Sequence, residues 1–441
     1  MPDRLRLVSG VPELRLGDAS SVLPFFQKAS PLITLTRKLA RQVQDVFRRG
    51  LPRLNPPAVV LRTDHEGLRI SAWSPEVALE YRETGLHASE QISLPLAALK
   101  RCAGSRSEAV TVERGDSDRV VLRWNDLGIP QVAEFDAPEI LAGSPAIPEK
   151  SLPAGQGFLV ALRDAIGTTD SQSSRYALDC VRLRGTSGRI DATDSRQALI
   201  QSGFNFSWDD DVLVAANPVF KSTVFSPHAD VQVGRSENWI AFQIGPWAIQ
   251  LAIDKGRRFP DVDGVMPSRS APYSRLRLSD ADADFLVRAL PRLPRDDMSH
   301  DSVTVDLNGS VAIRARSQAG AAPTELVLVG SQRLGEQIGI NSSRRYLERA
   351  VRLGFRDFHF VSAEAPAHCS DGCRQYVWAL LSPQGFIQSA DNAVRIESSV
   401  ADQPRSTRAS GLSKADATAD PVRSARMPSQ PVGVTSPQVR A

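Results

Sequence analysis

The residues of this 441-residue chain most able to do chemistry by type and spacing are His368, Cys369 and Cys373, in the segment HCSDGC. Imidazole and thiolate are zinc ligands, and three so close together could supply most of a tetrahedral site. A fourth ligand has no local source, because the remaining cysteines, Cys102 and Cys180, lie far off in sequence. Zinc sites are marked by paired ligand spacings. No metal is therefore assigned, and a loop cysteine pair is the simpler reading. Asp209-Asp210-Asp211 could attract a cation, but between strand-like segments it reads as a solvated turn, as does Asp296-Asp297. G-x-S-x-G, G-x-x-x-x-G-K-[ST], H-E-x-x-H and G-x-G-x-x-G patterns are all missing. The expectation is no catalytic residue and no cofactor. A metal-dependent enzyme built on His368, Cys369 and Cys373 stays as the weaker alternative.

Arginine spacing points to a different chemistry. In RKLARQVQDVFRRG, at about 100° per residue, Arg37, Arg41 and Arg48 fall within about 40° of one another, with Lys38 and Arg49 at about 100–120°. Leu39, Val43, Val46 and Phe47 occupy the opposite side. The segment from Ser342 does the same: Arg344, Arg345, Arg349 and Arg352 share one side, and Tyr346, Leu347, Ala350, Val351 and Leu353 the other. Such helices can pack on a sheet while presenting guanidinium groups to phosphates, contacts that do not read sequence. They would equally make a solvated charged face. Lys100 and Arg101 lie on the helix begun by Pro95, Lys221 on the stretch from Asn217, and Arg163 is the single base of a further helix. The expected nucleic-acid set is Arg37, Lys38, Arg41, Arg48, Lys100, Arg101, Lys221, Arg344, Arg345, Arg349 and Arg352, with the middle of the chain contributing least.

Hydrophobic residues make up 41% and charged residues 23% of the chain, a globular composition with a large core. No apolar run approaches the ~18 residues of a membrane span. MPDRLRLVSGVPELRLGD has no apolar segment before a small-residue cleavage site, so a cytoplasmic protein is expected. The few, scattered cysteines suggest reduced thiols. Net charge is +3, from 53 basic and 50 acidic residues. Six bases and three acids follow Val400, so the remainder is neutral. A neutral body argues against coating nucleic acid over its whole surface.

The elements that must position these side chains recur. A strand LITLT and the helix RKLARQVQDVFRRG precede strands AVVLRT, GLRISAWS and VALEYRET, the helix SLPLAALKRCAG and strands AVTVER and RVVLRW. The order returns from about Ser151 with GFLVALRDAIG, YALDCVRLRG, GRIDATDS, the helix-like NPVFKSTVF, then DVQVGR, WIAFQIG and WAIQLAID. It returns again from about Tyr273 with RLRLSDADADFLVRAL, SVTVDLNG, SVAIRARS, ELVLVG, NSSRRYLERAVRLG, DFHFVSAE and QYVWALL. Repeats of this size are whole domains. The fold class is α+β, with antiparallel meanders. Expected boundaries are an N-terminal extension 1–31, domains 32–147, 148–270 and 271–385, and an extension with a disordered tail over 386–441.

In the middle unit SRYALDCVRLR, GRIDATDSRQAL and RRFPDVDGVMP occur in order. They resemble the central domain of the bacterial β sliding clamp family, which carries an Arg-Tyr-x-Leu strand, an Ala-Thr-Asp-Gly-His-Arg-Leu turn and a Phe-Pro-Asp-Tyr segment ending in Pro. The matching residues are Arg175-Tyr176-Ala177-Leu178, Ala192-Thr193-Asp194 and Phe259-Pro260-Asp261 to Pro267. IGINSSRRYLERAV is similar to the family's Gly-Phe-Asn-x-x-Tyr-Leu segment, and QYVWALL to its closing strand. The resemblance spans about residues 32–385.

It implies three clamp-type domains per chain, antiparallel sheets outside and two helices inside each. A homodimer would close a ring on double-stranded DNA, tethering DNA polymerase and meeting a clamp loader, without catalysis. It also implies a partner-peptide pocket at Leu178, Thr193, Pro260, Val265, Val377, Trp378 and Leu380. Departures from the family occur here: Ser195-Arg196-Gln197-Ala198 replaces Gly-His-Arg-Leu, Gly264 stands for a base, and Ala379-Leu380 for Met-Pro. These keep open a second reading, a clamp-fold paralogue acting as a specialised interaction protein. Leu178 and Val377 are equally readable as ordinary strand core.

Overall fold

A computed structural model describes residues 32–173, 176–267, 274–296 and 301–398. The extension 1–31, Arg175 and the tail beyond 398 lie outside the described residues.

One βαβββ unit is used six times. The first is β1 (Leu32–Thr36), α1 (Arg37–Gly50), β2 (Val59–Asp64), β3 (Gly67–Trp73) and β4 (Val77–Thr84); the second is β5 (Glu90–Leu94), α2 (Leu96–Cys102), β6 (Ala109–Arg114), β7 (Arg119–Asp126) and β8 (Ile129–Asp136). The third is β9 (Ser151–Pro153), α3 (Phe158–Ile166), β10 (Cys180–Arg184), β11 (Arg189–Thr193) and β12 (Gln197–Ser202). The fourth runs through β13 (Asp211–Ala215), a 3-10 turn (Pro218–Lys221), β14 (Gln232–Arg235), β15 (Trp239–Ile244) and β16 (Trp247–Ala252). The fifth is β17 (Ser274–Arg277), α4 (Asp280–Ala289), β18 (Ser302–Asp306), β19 (Ala312–Ala315) and β20 (Thr324–Val327). After an added β21 (Gln332–Leu334), the sixth is β22 (Gly339–Ser343), α5 (Arg344–Arg352), β23 (Asp357–Phe360), β24 (Ala367–Ser370) and β25 (Arg374–Trp378). A further strand, β26 (Val394–Glu397), follows.

Units pair off by exchanging first strands. β1 joins β6-β7-β8 and β5 joins β2-β3-β4; β9 with β14-β15-β16, β13 with β10-β11-β12, β17 with β23-β24-β25 and β22 with β18-β19-β20 repeat the arrangement. Fourth strands then fuse these half-sheets: β4 with β16 in an eight-stranded sheet, and β12 with β25 in a nine-stranded one. All pairs except β20–β26 are antiparallel, which is the expected α+β class.

Local chemistry accounts for the helices. Thr36 Oγ1 accepts from the Leu39 amide at 3.1 Å and starts α1 directly from β1. Arg48 and Arg49 sit in its last turn, favourable to the helix dipole. Ser279 caps α4, with Asp280 and Asp282 in its first turn. Pro95 stands at the cap of α2 rather than inside it. NPVFKSTVF was expected to be helix-like but closes only one 3-10 turn. Val219, Thr223 and Val224 are β-branched and poor helix formers. The carbonyls of Phe220, Ser222 and Phe225 are taken by the Arg163 guanidinium instead.

The apolar helix sides cover the sheets. Leu39, Ala40, Val43, Val46 and Phe47 are buried in one core with Phe158, Leu162, Val219, Phe220, Phe242 and Trp247. A second core gathers Leu286, Leu347, Phe358, Tyr376 and Trp378. A third, small cluster (Ala177, Ala198, Ile200, Phe259, Val262, Val377) lies on the other face of the β12–β25 junction.

Candidate nucleic-acid interface and apolar cavity

Of the eleven expected phosphate-facing bases, Lys38, Arg41, Arg48, Lys100, Arg101, Lys221, Arg345 and Arg352 are exposed. Two are tethered on their own helix, Arg48 to Asp45 at 3.2 Å and Arg352 to Glu348 at 2.7 Å. Both pairs are exposed enough on the arginine side to exchange for a phosphate at small cost. Lys221 has its pKa lowered by partial burial and by the nearby Arg349.

The other three are corrected. Arg37 is 8% exposed and donates to Cys102 O at 3.2 Å, Asn125 O at 3.2 Å and Asp126 Oδ1 at 2.8 Å. Arg344 is 3% exposed and donates to Leu293 O at 2.7 Å and Pro294 O at 2.5 Å. Both are the first residue of a helix that leaves a strand without a loop. At that corner the side chain turns over neighbouring chain ends and saturates their carbonyls. Angular position alone cannot distinguish this place from the middle of the helix. Arg349 is half-buried and donates to Asp164 O and Thr168 Oγ1, both at 2.7 Å, fastening α5 to α3.

Six of the seven residues expected in a partner pocket line one cavity of about 290 Å³: Leu178, Thr193, Pro260, Val265, Val377 and Trp378. The cross-strand pair Ala198 and Val377 forms its floor, and Tyr176 and Val265 stand exposed at the rim. Leu380 is the correction: it packs against the second core, and Ala379 lines the cavity in its place. Trp378 is a fixed wall, since its Nε1 donates to Ser342 Oγ at 3.0 Å inside that core. The Thr193 hydroxyl is also committed, donating to Gln197 O at 2.7 Å.

Residues 194–197 form a tight Asx turn. Asp194 Oδ1 accepts from the Arg196 and Gln197 amides, each at 2.9 Å, while Ser195 takes φ 75°. That is a glycine-favouring conformation, so the turn persists without the glycine. Ala198 and Ala379, read in the sequence only as departures from the family pattern, line the cavity, and so do Val262 and Pro366, which no motif marks. Ala198 meets Val377 because β12 pairs with β25 across a long stretch of chain, and no local periodicity reports that register.

The His-Cys cluster does not converge. Cys369 lies within β24, fully buried in the second core; it is not a loop residue. Strand alternation turns His368 to the opposite face, where its ring lies 5.8 Å from that of His359. Cys373 is exposed in the following hairpin. Burial pushes the Cys369 thiol well above its usual range and raises Cys102 to about 11 and Cys180 to about 12, so these thiols are poor nucleophiles. Among the described residues no three His, Cys, Asp or Glu side chains are grouped to hold a metal ion. None of the described helices is long and apolar enough to cross a membrane.

The sequence matches no family model and no curated protein. Solved structures do match. A DNA polymerase III subunit beta sliding clamp from Pseudomonas aeruginosa, bound to griselimycin, aligns over 80% of this chain and 100% of its own, with 16% identity and a TM-score of 0.65. The beta subunit of Streptococcus pyogenes DNA polymerase aligns over 79% and 99%, with 14% identity and a TM-score of 0.65. DNA polymerase III subunit beta from Borrelia burgdorferi, in complex with a natural product, aligns over 80% and 98%, with 10% identity and a TM-score of 0.67. With its repeated βαβββ units, fused fourth strands and helices packed on the sheets, the chain has the fold of the DNA polymerase III beta sliding clamps.

Proposed function

We propose that the chain is a sliding clamp, divided near residues 147 and 270 into three domains, which with a second copy encircles duplex DNA and holds a polymerase to it without catalysis of its own. The observation that carries this reading is the set of exposed bases Lys38, Arg41, Arg48, Lys100, Arg101, Arg345 and Arg352 on repeated helices, with Lys221 on the 3-10 turn that takes a helix's place, in a fold shared with sliding clamps. A topological link needs no base-specific grip. Phosphate contacts from arginine and lysine give weak, salt-dependent attraction that permits sliding. The test is retention of the loaded protein on circular duplex DNA and its loss on linearisation. Arg41→Glu combined with Arg345→Glu is expected to weaken association and flatten its salt dependence, with chemical denaturation unchanged. Equal retention of the paired protein on circular and linear DNA removes the topological reading.

The apolar cavity is the partner site in this proposal. It suits one apolar anchor of an extended peptide, with Arg196 and Asp261 at the margin for polar flanks. A second reading, a paralogue serving a restricted set of partners, is favoured by the committed Thr193 hydroxyl and the withdrawal of Leu380. Affinity for a typical clamp-binding peptide equal to that of an ordinary clamp would count against it.

A further inference from the structure

The repeated unit allows each sheet edge to be read from the others. The fourth strand of a unit is the edge that reaches another pair of units. β4 pairs antiparallel with β16, Tyr81 opposite Trp247 and Val77 opposite Leu251. β12 pairs antiparallel with β25, Gln197 opposite Trp378 and Gln201 opposite Arg374. Two fourth strands remain, β8 and β20. Among the described residues β8 has no strand on its outer side, and it exposes Ile129 and Val132. The outer edge of β20 is taken by β26, which runs parallel to it from Thr324 opposite Val394 to Val327 opposite Glu397.

β26 is tied down at both ends. The Val394 amide donates to Pro323 O and the Ser398 amide to Val327 O, each at 2.9 Å, and the Val329 amide donates to Ser398 Oγ at 2.9 Å. Upstream, the Ile387 amide donates to Thr304 Oγ1 at 2.8 Å. The Phe386 ring occupies the space that a side chain at Gly339 would need. The four residues of β26 are themselves exposed.

The helices beside this edge carry a second, independent sign. Buried Leu39, Ala40, Val43, Val46 and Phe47 of α1 match buried Phe158, Leu159, Leu162, Ala165 and Ile166 of α3 position by position, which makes Asp45 and Asp164 equivalent. Each meets a donor from the adjoining pair of units. Ser222 Oγ donates to the Asp45 carboxylate at 2.7 Å. Arg349 donates to the main-chain carbonyl of Asp164 at 2.7 Å, and its charge acts on the Asp164 carboxyl beside it. The same alignment through buried Asp282, Ala283 and Leu286 of α4 places exposed Arg288 at that position. Buried Ala98, Leu99 and Cys102 of α2 place Arg101 where α5 has Arg349. Joining the remaining edges as the first two are joined would set Arg288 against Arg101.

We propose that β26 is a built-in cap on the edge of β20, which withholds that edge from β8 of a second copy of this chain and keeps the ring from closing until the cap is released. The proposal rests on the ring reading above for what the freed edge would meet. An incoming β8 and the resident β26 need the same row of β20 amides and carbonyls, so only one can be present. The cap is a short strand with exposed side chains, which makes its release inexpensive beside loss of a core strand.

The test is the association state of the full chain, by sedimentation, beside Val394→Pro with Ile396→Pro. These prolines delete successive amides on the side facing β20. Ser398→Val loosens the cap through one side chain and serves if the proline pair perturbs the sheet. The native chain is expected to be single and the released variants paired, with a dissociation constant at least tenfold lower and lower again with Arg288→Asp. A native chain that pairs as tightly as the variants overturns the proposal. So do released variants that stay single with and without Arg288→Asp. Pairing on release without retention on circular DNA supports the cap and counts against the DNA reading alone.

Discussion

Arg344 and Arg345 are neighbours on one helix with opposite fates. Arg344 donates to the buried Leu293 carbonyl and the half-buried Pro294 carbonyl, while Arg345 is exposed. Arg344→Met leaves those carbonyls without donors and is expected to cost about 2–3 kcal/mol in chemical denaturation, with DNA affinity unchanged in the surviving folded fraction. Arg345→Glu is expected to do the reverse. Equal effects of both on DNA binding would show that Arg344 does reach phosphate. Ser195 offers a contrary case, a residue whose replacement helps. Its φ of 75° is unfavourable for a side chain, so Ser195→Gly is expected to raise stability by up to about 1 kcal/mol. An unfolding midpoint that falls instead would mean that the Ser195 side chain holds the turn. Residue identities at these positions were plain in the sequence; their surroundings were not. A wheel that counts 100° per residue treats Arg37 and Arg41 alike, although one begins at a strand corner and turns inward.

At the scale of elements, most of the βαβββ order was legible because short strands with period-two burial and helices with one apolar side write themselves into the sequence. VALEYRET and AVTVER coincide with β4 and β6, and RKLARQVQDVFRRG with α1. QALIQS is continuously buried apart from its last residue, so β12 shows no alternation to read, and AHCS, which reads as a loop by its cysteine pair, is β24. Those two strands flank β25 on its two sides, and β12 also frames the cavity, so the site's lining was only partly foreseen. Ala198 is the position where the cavity can be closed without touching its rim. Ala198→Phe is expected to abolish binding of an apolar-anchored peptide, measured by fluorescence anisotropy, while far-ultraviolet dichroism stays unchanged. Retained affinity would remove the cavity from the partner site.

At the scale of the molecule, the repetition is the fact with most consequences. Six copies of one unit generate two complete junctions and leave one pair of edges over, and the fate of that pair decides whether two chains can make a ring. The two internal junctions are each sealed twice, by a strand pair and by a helix contact through Asp45 or Asp164. Among the described residues the third has neither seal, and β26 lies across one of its edges. The sequence by itself determined the unit, its recurrence, the basic helix sides and the membership of most of the cavity, because each depends on periodicity or on an ordered set of short motifs. Only the tertiary structure decided which arginines turn inward, that Leu380 leaves the cavity, and that a strand beyond the last repeat covers β20. Those outcomes depend on pairing between segments far apart in the chain, where backbone hydrogen bonds set the register and no spacing in the sequence records it.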